Sequence, residues 1–180
     1  LGDDQSQPEY AAPKLLNFFL YINLPLLFTI LAISIWMAGS LPFPAWGASL
    51  MDAREETTFI HLVGYVIVLG LMVATAGTNV GHELTHRKRN RFDMFMGNWL
   101  LALTWDCSFA IEHVYGHHKY VATSIDPATA KRGQNPYNFI LRAIFLNQRN
   151  AWIIENSRLI KKGLRPLSIQ NRMLIGYARS

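Results

Sequence analysis

Two long apolar runs without a charged residue limit what this chain can fold into. The first extends from Leu15 to Met37 and the second from Phe59 to Val80. A helix needs about 20 apolar residues to cross the roughly 30 Å hydrocarbon core of a bilayer. The sequence therefore predicts membrane-spanning helices over residues 15–37 and 59–80. The alternative interpretation is a pair of buried core helices in a soluble protein.

The charges flanking these runs predict how the chain lies in the membrane. A basic segment, Arg87-Lys88-Arg89-Asn90-Arg91, follows the second run, whereas the connector at 40–58 has one arginine and three acidic residues. Because basic residues are enriched in cytoplasmic loops, the second span should end in the cytoplasm. Residues 119–172 continue as a basic cytoplasmic region, with an amphipathic helix predicted over 138–154. A basic region can also indicate a nucleic-acid partner, but the apolar runs favour a membrane, so we expect no nucleic-acid partner.

Five of the six histidines fall in two short clusters, Gly81-His82-Glu83-Leu84-Thr85-His86-Arg87 and Glu112-His113-Val114-Tyr115-Gly116-His117-His118. On an α-helix, residues four apart share one face. This spacing places His82 and His86 on one face of a helix, and His113 and His117 on one face of another. His118 would follow about a quarter turn after His117. Neutral imidazole is a good ligand for transition metals. Five exceed the three protein ligands of a typical catalytic zinc, so they indicate part of a two-metal site.

A third apolar run at 94–111 separates the two clusters and contains Asp106. If this run crossed the membrane once, the clusters would lie on opposite faces and could not share a site. We therefore predict a re-entrant or interfacial segment. A carboxylate within an apolar segment is a functional candidate, although Asp106 could equally satisfy the backbone at a helix break.

Other polar residues near the clusters have two interpretations. Glu83 and Glu112 could orient ligand histidines through hydrogen bonds, or they could pair with the cations Arg87, Lys88 and Lys119. His61 lies 21 residues before His82, roughly 31 Å along one helix, and is left out of the site. The segment His82-Glu83-Leu84-Thr85-His86 also fits the H-E-x-x-H pattern of zinc proteases, which would leave the second cluster unexplained.

The two clusters resemble the histidine boxes of the integral-membrane fatty-acid desaturase and hydroxylase superfamily. Together with Val121-Ala122-Thr123 and Asp126-Pro127-Ala128, they look like the alkane 1-monooxygenase branch, which includes xylene methyl hydroxylases. The resemblance implies an all-α integral-membrane helical bundle. It also implies a non-haem di-iron centre that activates O2 and hydroxylates terminal C–H bonds of alkanes or alkyl side chains. The iron ligands carried over are His82, His86, His113, His117 and His118.

The resemblance further implies a rubredoxin or a ferredoxin-type protein as electron donor. It suggests a hydrophobic hydrocarbon substrate, and a bacterial inner membrane with the metal site on the cytoplasmic side. A lipid desaturase shares the metal and the fold and differs in its product, so it remains the nearest alternative. An intramembrane zinc protease and a non-catalytic membrane protein are the alternatives from other classes.

The chain also departs from the family pattern. The third box, His-x-x-His-His, and the Asn-Tyr-x-Glu-His-Tyr-Gly motif of the alkane branch are absent, and no histidine follows His118. The family has about six spans, whereas two are clear here. We therefore expect residues 1–180 to form a single partial domain, incomplete at both ends, and to be inactive alone.

Overall fold

The computed structural model describes residues 13–38 and 48–180, and every regular element within these two ranges is helical. The all-α prediction is confirmed for them. Residues 40–47 of the predicted connector lie outside the described residues. Within these ranges, two helices could cross a bilayer by length and composition: Pro13–Ala38, of 26 residues, and Phe59–His86, of 28 residues.

These two helices contain the predicted spans. The first is formed by α1 (Pro13–Tyr21) and α2 (Asn23–Ala38), and a short helix α3 (Ala48–Glu55) follows. The second consists of α4 (Phe59–Met72), a π-helical segment π1 (Val73–Asn79) and α5 (Val80–His86). No residue of α4 is buried, so its apolar side chains face outward all round. A helix with this surface suits a hydrocarbon environment.

The third apolar run is not one helix. Helix α6 ends at Leu103 in a Schellman-type cap: Trp105 has φ 61°, its N–H donates to Ala102, and the Asp106 N–H donates to Leu101. The left-handed position at such a cap usually takes glycine, because side chains are strained there. The chain reverses at this cap. The elements around it are α6 (Arg91–Leu103), α7 (Phe109–Glu112), π2 (His113–His117) and α8 (His118–Tyr120).

Helix α6 packs closely against α5 through two glycines. A Cβ atom placed on Gly97 would lie 3.1 Å from the carbonyl oxygen of Gly81, and a Cβ on Gly81 would lie 2.9 Å from Leu101 Cγ. The neighbouring core is apolar and includes Leu24, Leu27, Leu84, Met96 and Leu100. A Cβ on Gly77 would overlap Thr104 Cγ2, whereas nothing described lies within 4 Å of a Cβ on Gly64 or Gly70.

We expect Gly81→Ala to lower the free energy of unfolding by about 1–3 kcal/mol, because the added methyl overpacks the α5–α6 contact. Gly64→Ala is the matched control, since a Cβ there meets no described atom. Unfolding in detergent micelles measures both variants. Equal stability of the two alanine variants would show that α5 and α6 do not approach as closely as described.

Two further helices, α9 (Pro136–Lys161) and α10 (Arg172–Tyr177), pack beside the second histidine cluster. The Asn135 side chain caps α9 by accepting from the N–H groups of Tyr137 and Asn138. The helix is therefore longer at both ends than the predicted 138–154. A second apolar core joins these helices to α7 and is formed by Ile111, Ala151 and Met173.

A buried carboxylate ties α10 to α9. Glu155 is 0% exposed, and its oxygens accept from Arg158 Nη2 at 2.6 Å and Arg172 Nη2 at 2.7 Å. The backbone N–H of Arg172 donates to it as well. Burial alone would raise the pKa of Glu155, but the hydrogen bonds from Arg158 and Arg172 outweigh burial and lower this pKa to about 2.

A carboxyl group whose pKa is depressed by folding stabilises the fold above its unfolded pKa, and this stabilisation is lost as the pH falls. For Glu155 the window runs from about 4.5 down to about 2. We expect Glu155→Gln to cost about 3 kcal/mol at pH 7, since it breaks a buried ion pair. Thermal unfolding across this window should decline less steeply for the variant than for the parent. Parallel pH profiles would contradict the assignment.

Candidate metal centre

The fold brings the two histidine clusters to the same place. His82 and His86 lie on α5, and α6 runs back along α5 before the chain reverses at Trp105. The second cluster, on π2 and α8, thereby returns to the level of the first. The ring centroids of His82 and His113 are 4.5 Å apart, and those of His86 and His118 are 5.0 Å apart. All five histidines therefore belong to one connected group of rings.

A π-helical turn shapes the second cluster. The His118 N–H donates to the carbonyl of His113, five residues back, which is the hydrogen bond that defines a π-helix. In an α-helix, residue 118 would lie roughly 140° around the axis from residue 113. Instead, the Nε2 atoms of His113 and His118 are 3.1 Å apart, and the rings of His113 and His117 stack at 5.2 Å. The α-helical geometry expected for the second cluster is wrong, because its turn is π-helical.

The nitrogens form two close pairs. Nε2 of His82 lies 2.7 Å from Nε2 of His86, and Nε2 of His113 lies 3.1 Å from Nε2 of His118. His82, His86 and His113 each offer a nitrogen within 4.8 Å of the others. Two imidazole nitrogens bound at about 2.1 Å to one ion at right angles are about 3 Å apart. The donor set therefore fits transition-metal ions.

Burial keeps the central histidine neutral. Loss of solvation, together with the neighbouring imidazoles of His82 and His118, lowers the pKa of His113 to about 4. A neutral imidazole retains the lone pair that binds a metal, whereas a protonated one repels the ion. The ring is therefore ready to act as a ligand near neutral pH.

Sequence reasoning missed one polar contact of the cluster. Nδ1 of His117 lies 2.9 Å from Oδ2 of Asp126, which is 1% exposed. Asp126 also accepts hydrogen bonds from the Thr129 hydroxyl and the Ala128 N–H. A carboxylate on Nδ1 holds the proton there, leaving Nε2 free to bind a metal. The Asp-Pro-Ala-Thr turn carries the signal, because aspartate side chains often bind the backbone two residues ahead.

The two glutamates next to ligand candidates behave differently from each other. Arg87 Nε and Nη2 donate to the Glu83 carboxylate. Of the two interpretations of Glu83, pairing with a cation is therefore the one that the structure shows. Glu112 is buried, its Oε1 has no hydrogen-bond partner among the described residues, and burial raises its pKa. It lines a cavity of about 90 Å³ together with His113 and His117. Neither glutamate bonds a histidine ring within the described ranges.

Two other candidates lie away from the cluster. His61 is in the first turn of α4, where its Nδ1 accepts from the Thr58 N–H, at the opposite end of the helix that carries His82. Asp106 lies at the helix break after Trp105 and accepts from the Ser108 hydroxyl. Burial raises the pKa of Asp106, but its described hydrogen bonds are those of a residue that supports the turn.

Two apolar helices and a group of imidazoles that could hold a metal ion place this chain in a class of protein. The class is that of helical membrane proteins with metal-binding histidine clusters. Residues 57–179 match the profile of the Fatty acid desaturase family, and the chain belongs to this family. The family resemblance and the fold class inferred from the two boxes are confirmed.

The relatives to which the chain is similar include alkane 1-monooxygenases and a xylene/toluene monooxygenase component. The chain is 33% identical to Alkane 1-monooxygenase 1 of Pseudomonas aeruginosa over 99% of its own length and 45% of the relative. It is 37% identical to Alkane 1-monooxygenase of Acinetobacter baylyi over 74% of the chain and 32% of the relative. It is 29% identical to the xylene/toluene monooxygenase hydroxylase component XylM of Pseudomonas putida, over 91% and 42%. The chain thus spans less than half the length of these relatives.

Proposed function

We propose that this chain carries part of a membrane non-haem di-iron monooxygenase, which hydroxylates terminal C–H bonds of alkanes or alkyl side chains. The observation that carries the proposal is the pair of Nε2–Nε2 contacts, His82 with His86 and His113 with His118, in a chain similar to alkane 1-monooxygenases. Two ligand pairs suit two ions better than one. The iron ligands supplied here are His82, His86, His113, His117 and His118.

The chemistry of the substrate supports this choice. An unactivated methyl group has no acidic proton and no leaving group, so side chains alone cannot activate it. Iron would supply the oxidising power, using O2 and electrons from a rubredoxin or ferredoxin-type donor. The protein holds five imidazoles in place, with Asp126 fixing His117. Apolar helices beside the cluster give a hydrocarbon a dry approach.

The proposed setting is the bacterial inner membrane, with the histidines at the cytoplasmic side. The basic segment after His86 supports this orientation. In this arrangement, α6 and the second cluster form a re-entrant hairpin that enters from the cytoplasm and returns to it. The zinc-protease alternative is disfavoured because Glu83, its general base, is bound by Arg87.

Product analysis with the full-length protein tests the proposed function. Membranes supplied with a medium-chain alkane, a reductase system and ¹⁸O2 should form the terminal alcohol with one labelled oxygen. A variant lacking both His117 and His118 is the control. An alkene or an unsaturated lipid, without labelled alcohol, would favour the desaturase instead. Peptide cleavage that depends on zinc would reject both.

A further inference from the structure

A groove with a basic rim lies on the outer side of the second histidine cluster. It is bounded by π2, α8 and the second half of α9, and its volume is about 550 Å³. Its rim includes Lys119 and Lys161, and none of the described residues that line it is acidic. The side of the helix that lines the groove carries Tyr115, Gly116 and Lys119, apart from the imidazole pairs.

The two lysines face the groove without an anionic partner. Neither ammonium group forms an ion pair with a described residue. Nζ of Lys119 lies 4.9 Å from the centroid of the Tyr120 ring. Arg158, the third cation of the groove, is already bound to Glu155 and to the carbonyl of Gln170. The rim therefore holds two cations that are free to bind an anion.

The rest of the groove is largely apolar. Ile125 is 66% exposed and Ile153 is 48% exposed, and both line it together with Ile154. Exposed isoleucine side chains gain free energy when hydrocarbon covers them, and the ammonium groups of the lysines beside them can bind an anion. They match a ligand that joins an anionic group to a hydrocarbon chain.

The position of the groove relative to the second apolar helix indicates which amphiphile this is. The ring of Tyr115, which lines the groove, lies 5.0 Å from Nζ of Lys88. Lys88 is two residues beyond the end of the apolar helix Phe59–His86. The groove thus lies at the level where this helix leaves the hydrocarbon region, which is the level of lipid headgroups.

We propose that this groove binds an anionic phospholipid. The headgroup phosphate lies between Lys119 and Lys161, and an acyl chain contacts Ile125 and Ile153. Basic pockets on the cytoplasmic side of membrane proteins commonly hold anionic headgroups. An acidic protein such as an electron donor is the alternative occupant. A concave groove of this size favours the lipid, because a protein interface usually needs about 800 Å² on each partner.

Lipid binding to the full-length protein tests this inference. The protein is placed in nanodiscs of phosphatidylcholine with a minor fraction of phosphatidylglycerol, and retained phosphatidylglycerol is counted by native mass spectrometry. Lys119→Ala/Lys161→Ala should weaken phosphatidylglycerol binding roughly 25-fold at low salt, from roughly fivefold per lysine. Lys131→Ala/Arg132→Ala removes the same charge from exposed loop positions outside the groove and is the matched control.

The outcomes are distinguishable. Loss of phosphatidylglycerol in the groove variant alone, with unchanged thermal unfolding, supports the site. Equal loss in both double variants would mean nonspecific attraction to surface charge and would overturn it. Unchanged lipid binding would also overturn it, and a weaker affinity for the electron donor in that case would assign the groove to an acidic protein. Iron content plays no part in this readout, so the inference stands or falls separately from the proposed function.

Discussion

Replacing His113 by alanine in the full-length protein is expected to remove most of the bound metal and to lower the proposed hydroxylase activity by more than about 100-fold. His113 contacts the rings of all four other histidines of the cluster, His82, His86, His117 and His118. Changing residues that merely orient a ligand costs about 10–100-fold, so loss of the proposed central ligand should cost more. Metal analysis and product formation measure the two effects.

His61→Ala is the matched control for this experiment. His61 is a histidine of the same apolar helix, but its described ring contact is with Thr58 at the far end. We expect its replacement to leave the metal content unchanged. A His113→Ala protein that kept its metal and its activity would show that the five rings do not form one centre.

Replacing Asp126 by alanine is expected to weaken metal binding by about 10–100-fold. The carboxylate holds Nδ1 of His117 from a buried position. Without it, the imidazole can rotate or take the other tautomer, in which Nε2 carries the proton and cannot bind a metal. Chelator competition measures the dissociation constant, and thermal unfolding of the metal-free protein separates this effect from a loss of stability.

Asp126→Asn distinguishes positioning from a structural role. An amide oxygen can still accept from Nδ1 of His117, so this variant should recover much of the metal affinity lost in Asp126→Ala. Asp52→Ala, an exposed carboxylate change in α3, should have no effect. If Asp126→Ala bound metal as tightly as the parent, the contact with His117 would have no role in ligand orientation.

The histidine boxes were the most informative part of the sequence. Their spacing and their setting between apolar runs predicted the family, which the family match confirms. The requirement that both clusters reach one site also led to the expectation that residues 94–111 do not simply cross the membrane. In the structure this run is broken at Trp105, and the clusters adjoin. The position of this hairpin in the bilayer stays a prediction.

The local geometry of the second box could not be read from periodicity. Spacing rules assume an α-helix, whereas a single π-turn moves His118 from the side of the helix to a position over His113. The stability of such a turn depends on tertiary packing, here against α9, and no residue preference marks it. The cap at Trp105 was hidden for a similar reason, since glycine is the usual signal for a left-handed cap.

The contact between Asp126 and His117 could be predicted only in part from the sequence. The Asp-Pro-Ala-Thr segment predicts a turn, but only the fold shows that the turn points its carboxylate at His117. Glu83 and Glu112 drew attention because they adjoin histidines in sequence. On a helix, however, adjacent residues point in different directions, so a residue nine positions away reaches the ring and the neighbours do not.

Metal analysis of the purified full-length protein tests the central claim most directly. Elemental analysis counts iron and zinc per chain, and Mössbauer spectroscopy distinguishes a pair of irons in one centre from unrelated sites. We predict two iron ions per chain, reduced to well below one in the His113→Ala variant. One zinc ion per chain and no iron, or no bound metal at all, would contradict the di-iron assignment.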